Sequence, residues 1–330
     1  MVSMTRLAAA LLLAATACST PATARPSPAA WPPLPGTATT ASPRASAEAQ
    51  FPAYYIESLR ARRAPGGPIE IGAPMFRGQG FGKFQISWPS AGRRMTGTIS
   101  LPDGPGPFPV VVVVHGYIPA TRYWVGQDSG IFGDPMASHG FISLAPNYPG
   151  YSGSDPGPPD LPNIVAVTVS VMDLVSAVPS LKQADPNRVA LIGHSNGGGV
   201  GLLTLVTDPR IRAYALFAPV SSDMTDNARK WWLNNGSAGP LGNPDQNPLG
   251  YAHISPRNYL KPGMAPVLIL QGTADEEIPR SWTEATVAAL QAAGIRTLVT
   301  WIPDAHHDLV GPDLARADAA AEAWIREALA

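Results

Sequence analysis

Apolar residues recur along this chain in two distinct periods. Residues 110–114 are five consecutive valines, and 189–192, 213–217, 266–270 and 297–302 are similarly apolar. That is the pattern of strands covered on both faces of a parallel sheet. Residues 140–145 read as one more strand. Residues 84–88 and 95–101 alternate apolar and polar about the turn Ser90-Ala91-Gly92, which predicts a hairpin. Elsewhere the spacing is helical: 51–63, with Tyr55, Ile56 and Leu59; 164–181; and 312–330, with Leu314, Ala317, Ala321, Trp324, Ile325 and Leu329. Strands alternate with helices and no internal repeat is visible. The prediction is an α/β fold with a mainly parallel central sheet and helices on both faces. In such sheets function gathers beyond the carboxyl ends of the strands.

The first fifty residues read differently. Residues 1–18 carry Arg6, an apolar run over 7–17 too short to span a bilayer, and then Cys18. This is the anatomy of a secretory signal. Cys18 follows Ala15-Thr16-Ala17 and resembles the lipidated cysteine of a bacterial lipobox, although Ala15 stands where Leu is usual. Ordinary cleavage near Ala17 or Ala24 is the alternative. Cys18 is the only cysteine, which excludes a disulfide within the chain. Residues 19–50 are rich in Ala, Pro, Thr and Ser and read as a disordered tether. Residues 51–330 then suit one α/β domain. Export is expected, as a cell-envelope lipoprotein or a secreted protein. A net charge of −1 and a pI near 6.6 argue against nucleic acid or an anionic membrane surface as partner. The expected membrane link is a lipid at Cys18 alone, and nothing in the composition specifies an oligomer.

Chemistry concentrates at 189–199, VALIGHSNGGG. An apolar strand, a G-x-S-x-G turn and a close-packed helix are the context of a nucleophile elbow, with Ser195 as nucleophile. Gly193 and Gly197 supply room for so sharp a turn. A serine hydroxyl needs a base, and the base needs an orienting acid. In an α/β-hydrolase these follow in the order Ser, acid, His. Asp275, directly after the strand 267–270, is the expected acid. Glu276 and Glu277 on the same loop are expected to be solvated, and Asp223 is a weaker rival. The loop 304–309 holds His306 and His307; His307 is preferred as base, with His306 at the rim of the pocket or as a supporting donor. The oxyanion would be held by the backbone N–H groups of Asn196 and Tyr117, and the Tyr117 ring is either a pocket wall or a rim aromatic. His194 belongs to the motif framework and the pocket. The segment 221–262 is too long for a plain loop and predicts a small cap. Its Trp231-Trp232 pair either lines an acyl or aryl pocket or anchors the cap.

With these residues in view, the chain resembles the prolyl-oligopeptidase-type branch of the α/β-hydrolases, in particular small bacterial dipeptidyl-aminopeptidase- and acylaminoacyl-peptidase-like members. The likeness runs through His115-Gly116-Tyr117-Ile118, Ala145-Pro146-Asn147-Tyr148, Asp185-Pro186-Asn187-Arg188, the elbow, Gln271-Gly272-Thr273-Ala274-Asp275 and Ile302-Pro303-Asp304-Ala305-His306-His307. The resemblance implies Ser195, Asp275 and His307 as a catalytic triad. It implies a serine hydrolase that cleaves ester or peptide bonds of a small substrate through an acyl-enzyme. Two departures bear on substrate: only about fifty folded residues precede the hydrolase core, and no Glu-Glu motif is placed to grip a peptide amino terminus. No metal or organic cofactor is implied. The reading from another class is a surface-tethered binding protein that keeps the fold without the chemistry.

Overall fold

The computed structural model describes residues 52–330. The expectations for the signal, Cys18 and the tether therefore lie outside the described residues. Nine strands form one sheet in the order β1-β2-β3-β5-β4-β6-β7-β8-β9. Strands β1 (Glu70–Gly78), β2 (Phe81–Ser90) and β3 (Arg93–Pro102) form an antiparallel meander joined through β3 to β5 (Ile142–Pro146). From β5 onward, β4 (Phe108–Val114), β6 (Ala184–His194), β7 (Ile211–Phe217), β8 (Val267–Gly272) and β9 (Thr297–Ile302) pair in parallel. The sheet is α/β and mainly parallel, as the apolar runs predicted.

The valine strand shows why such runs fold this way. Every side chain from Val110 to Val114 is fully buried. Val110, Val112 and Val114 enter the core on one face, while Val111 and Val113 enter the core on the other. A period of two leaves no position for a polar residue when both faces are covered. The first core is covered by α1 (Ile56–Ala61), α3 (Asn163–Ala177) and α4 (Asn196–Thr207), and the second by α2 (Ser129–Ser138) and α9 (Gly311–Leu329). Helix α3 is apolar on nearly all sides because it is buried on nearly all sides.

Chain order reverses at β4, which lies between β5 and β6. Such a switch point opens a crevice at the strands' carboxyl ends. The turns after β4 and β6, carrying Gly116-Tyr117 and Ser195, both leave the sheet there. Between β7 and β8 the chain forms α5 (Met224–Asn227), α6 (Leu233–Asn235) and α7 (Pro248–Ile254) with short turns between them. Helix α8 (Arg280–Ala292) joins β8 to β9.

Three elements differ from the periodicity. Strand β1 has no counterpart in the predicted pattern: seven of its nine residues are exposed, so no buried face imposes alternation. The helix expected over 51–63 is confined to Ile56–Ala61, where only Ile56 and Leu59 are buried. Its basic end serves packing, since Arg62 pairs with the buried carboxylate of Asp173, which also accepts from Ser90 Oγ at 2.7 Å. Helix α8 covers the sheet through a narrow stripe of Thr283, Thr286, Val287 and Leu290, two of them polar, which blurs the helical signal.

Beside the buried Ala317 face of α9, Asp318 is drawn in from water, and burial pushes its carboxyl up to about 7. The folded state holds the proton more tightly than the unfolded one, so stability falls as pH rises from the ordinary carboxylate range to about 7. Asp318→Asn is expected to leave the melting temperature unchanged near pH 4. At about pH 8 it should raise stability by ~1 kcal/mol, a figure reduced for the partial exposure of the group. Thermal unfolding of both proteins across that range checks this.

Candidate active site

The turn from β6 to α4 is as tight as a polypeptide permits. Ser195 sits at φ 53°, ψ −115°, a conformation that costs a non-glycine residue of order 1–3 kcal/mol. Surrounding bonds hold it there. The Ser195 N–H donates to the Phe217 carbonyl at 2.9 Å, and the Ser195 carbonyl accepts from Gly199 and Val220 N–H at 3.2 Å each. A β-carbon at Gly197 would run into the Val114 carbonyl, and one at Gly193 into the Gly197 carbonyl. Both glycines are thus required by close backbone approach. Asn196 opens α4, so its N–H is among the first four without an intrahelical acceptor. Its side chain donates to Tyr148 Oη at 3.2 Å, and the Tyr148 hydroxyl donates to the His115 carbonyl.

The structure brings Asp275 and His307 together. His307 Nδ1 lies 3.0 Å and 3.1 Å from the two Asp275 carboxylate oxygens. Asp275 also accepts from the N–H groups of Glu277 and Ile278, each at 2.8 Å, and from Gln271 Nε2 at 2.6 Å. Burial pushes this carboxyl up, but the bond from His307 and the backbone N–H groups outweigh it and hold the pKa below the ordinary value. Asp275 is therefore an anion at neutral pH. The carboxylate fixes the Nδ1–H tautomer of His307 and leaves Nε2 as the open nitrogen. Asp223, the rival acid, instead caps α5 by accepting from Thr225 N–H at 3.0 Å and meets Arg257 at 3.2 Å.

A second histidine–carboxylate pair lies beside the first. His194 Nδ1 is 3.0 Å from each Asp128 carboxylate oxygen, and Asp128 Oδ2 accepts the Gly116 N–H at 2.6 Å. Burial pushes the His194 pKa down, yet the Asp128 charge and hydrogen bond, with Asp308 and the His307 backbone, raise it above its ordinary value. Burial pushes Asp128 up, and His194 and the Gly116 N–H pull it below its ordinary value. Asp128 itself has φ 64°, and it joins the loop after β4 to the elbow. No sequence motif marks it; only its position in a loop between β4 and α2, facing the elbow, gives it this part.

Gly116, Tyr117, Asp128, His194, Ser195, Asn196, Trp231, Trp232 and His307 share one cavity of about 720 Å³. Its walls include Ile118, Ile131, Phe132, Ile164, Val220 and Leu309. Both tryptophans line it; Trp231 also ties the cap to α8 by meeting Trp282 edge-on at 5.6 Å, while Trp232 is buried against Tyr251 within the cap. His306 is a correction, because it is absent from the cavity wall. It points to solvent and contacts Glu276 at 3.2 Å. Adjacent residues on an extended loop face opposite ways, and His307 took the inner one. Glu277, expected to be solvated, stands at the cavity rim beside Lys230.

The family model of the prolyl oligopeptidase family matches residues 134–330. The chain belongs to the prolyl oligopeptidase family. Membership makes the folded body a serine hydrolase domain of esterase or peptidase type. The match includes Ser195, Asp275 and His307 but begins after Gly116, Tyr117 and Asp128. A 106-residue stretch is 33% identical to an uncharacterised protein of Pseudomonas aeruginosa; it covers 31% of this chain and 26% of that protein. The chain thus spans about a quarter of that relative. Acetyl xylan esterase 1 of Thermoanaerobacterium has a similar fold, with TM-score 0.66 and 19% identity over 84% of this chain and 94% of that one. A puromycin-hydrolyzing peptidase of Mycobacterium tuberculosis is similar at TM-score 0.58 and 21% identity, over 75% of this chain and 39% of that one.

Replacing Asp128 in this family member leaves the Gly116 N–H and a buried imidazole without their acceptor. Asp128→Ala is expected to cost about 1–3 kcal/mol, read as a lower midpoint in urea unfolding at pH 7. Asp128→Asn, which keeps one acceptor oxygen, should cost less.

Proposed function

We propose that the protein is an exported serine hydrolase acting through Ser195, His307 and Asp275. The observation that carries this is the bifurcated hydrogen bond that His307 Nδ1–H donates to both Asp275 carboxylate oxygens, at the wall of the cavity that Ser195 also lines. In this reading His307 Nε2 takes the Ser195 proton as Oγ attacks a substrate carbonyl. Asp275 stabilises the imidazolium that forms. The N–H groups of Asn196 and Tyr117 receive the oxyanion. His307 then returns the proton to the leaving group, and water releases the acyl-enzyme by the same route. The largely apolar wall supports an uncharged acyl or aryl group as the part of the substrate that is bound. The peptide and ester readings share this machinery.

Ser195→Ala should lower kcat by about 10⁶, with His307→Ala comparable, while His306→Ala should stay within about threefold of wild type. A panel of p-nitrophenyl esters and aminoacyl anilides measures this and ranks the two bond types. Labelling by a fluorophosphonate probe tests the nucleophile directly. If the wild type is not labelled and is indistinguishable from Ser195→Ala, the chemistry is wrong and a non-catalytic binding role stands in its place.

We also propose residues 1–18 as an export signal, 19–50 as a tether and 51–330 as the hydrolase body, with the cap over 221–262. The basic-apolar-small order of the first segment and the composition of the second support this. A lipid on Cys18 would hold the protein at the cell envelope. Cys18→Ser is expected to move it from the membrane to the soluble fraction of fractionated cells. An unchanged distribution would rule out the anchor and leave plain secretion.

A further inference from the structure

The active-site wall contains more donor groups than acyl transfer uses. His194, His307 and Asp308 each offer one ligand atom, and the three atoms lie within 4.8 Å of one another. In each histidine Nδ1 is taken by a carboxylate: Asp128 for His194, Asp275 for His307. That leaves His307 Nε2 open and turns His194 Nε2 toward the His307 backbone and Asp308. Carboxylate-backed imidazoles are how proteins orient and strengthen histidine ligands to a metal. His194 Nε2 is buried, has no hydrogen-bond partner of good geometry, and stands 3.7 Å from Asp308 Oδ1. The His194 side chain is only 9% exposed, whereas Asp308 is 83% exposed. The two imidazole rings are 5.1 Å apart, centre to centre. Asp128 and Asp275 back the two rings from their Nδ1 sides, and Asp308 is the carboxylate that faces the Nε2 side of His194.

We propose that His194, His307 and Asp308 form a reversible inhibitory site for a borderline transition-metal cation, with Zn²⁺ as the type ligand. Two imidazole nitrogens and one carboxylate with an open position suit Zn²⁺ and disfavour Mg²⁺, which prefers oxygen ligands. No redox step is involved. The cation forms coordinate bonds to the two Nε2 atoms and one Asp308 oxygen, and any proton on His194 Nε2 leaves to solvent. Once His307 Nε2 is coordinated, its lone pair is no longer available to Ser195, and hydrolysis stops. This goes beyond the acyl-transfer reading, which assigns no part to Asp308.

The test uses the full-length protein and ZnCl₂. With a p-nitrophenyl ester, Zn²⁺ should inhibit and EDTA should restore the rate, while equal MgCl₂ has no effect. Measured against its own metal-free rate, Asp308→Ala should need at least about tenfold more Zn²⁺ for half-inhibition, the loss expected on removing a group that supports the metal. Calorimetric titration of Zn²⁺ into Ser195→Ala should show one site that is weakened by adding His194→Gln. Calorimetry needs no turnover, so the site can be judged even if the hydrolase reading fails. Equal zinc sensitivity of wild type and Asp308→Ala, or no calorimetric binding to Ser195→Ala, overturns the proposal.

Discussion

Everything at the active site depends on one steric constraint: the passage of α4 under the end of β4. The Gly197 backbone presses on the Val114 carbonyl, and the Gly193 backbone presses on Gly197. That close approach leaves no room for a side chain at either glycine, and between them Ser195 holds a left-handed conformation. The hydroxyl is lifted clear of the sheet because the chain around it is held down. The strain is met by three backbone hydrogen bonds to Ser195 and by two fully packed cores beneath it.

The electrostatics follow from the same crowding. Two histidines are brought to one wall, and each has its Nδ1 side held by a largely buried carboxylate. The two pairs differ in what lies beyond them. Asp275 is bound by a loop N–H pair and by Gln271, so the first pair is set by the chain after β8. Asp128 is bound by the Gly116 N–H, so the second pair ties the loop after β4 to the elbow.

Much of this was legible in the residues because it is local. A strand buried on both faces must be apolar throughout, so the parallel strands announced themselves. The elbow is a contiguous motif, and Asp275 and His307 follow β8 and β9 in turn. What escaped had no local signature. Strand β1 is an exposed edge, and its sequence EIGAPMFRG answers to no buried face. Asp128 acts across 66 residues of chain on His194. Asp308 gains significance only from the fold that sets it beside an imidazole more than a hundred residues away in sequence. The choice between His306 and His307 was open because neighbouring residues differ only in direction, and direction is a tertiary property.

Strand β9 has a consequence for how this molecule fails. It is an outermost strand of the sheet, paired with β8 alone, and only one of its six residues is buried. The loop that carries His307 hangs from its end. Segments with few apolar contacts open locally at lower free energy than the core. Heat or denaturant would therefore loosen the molecule from its rim inward, with the His307 loop displaced while Ser195 still stands on an intact centre.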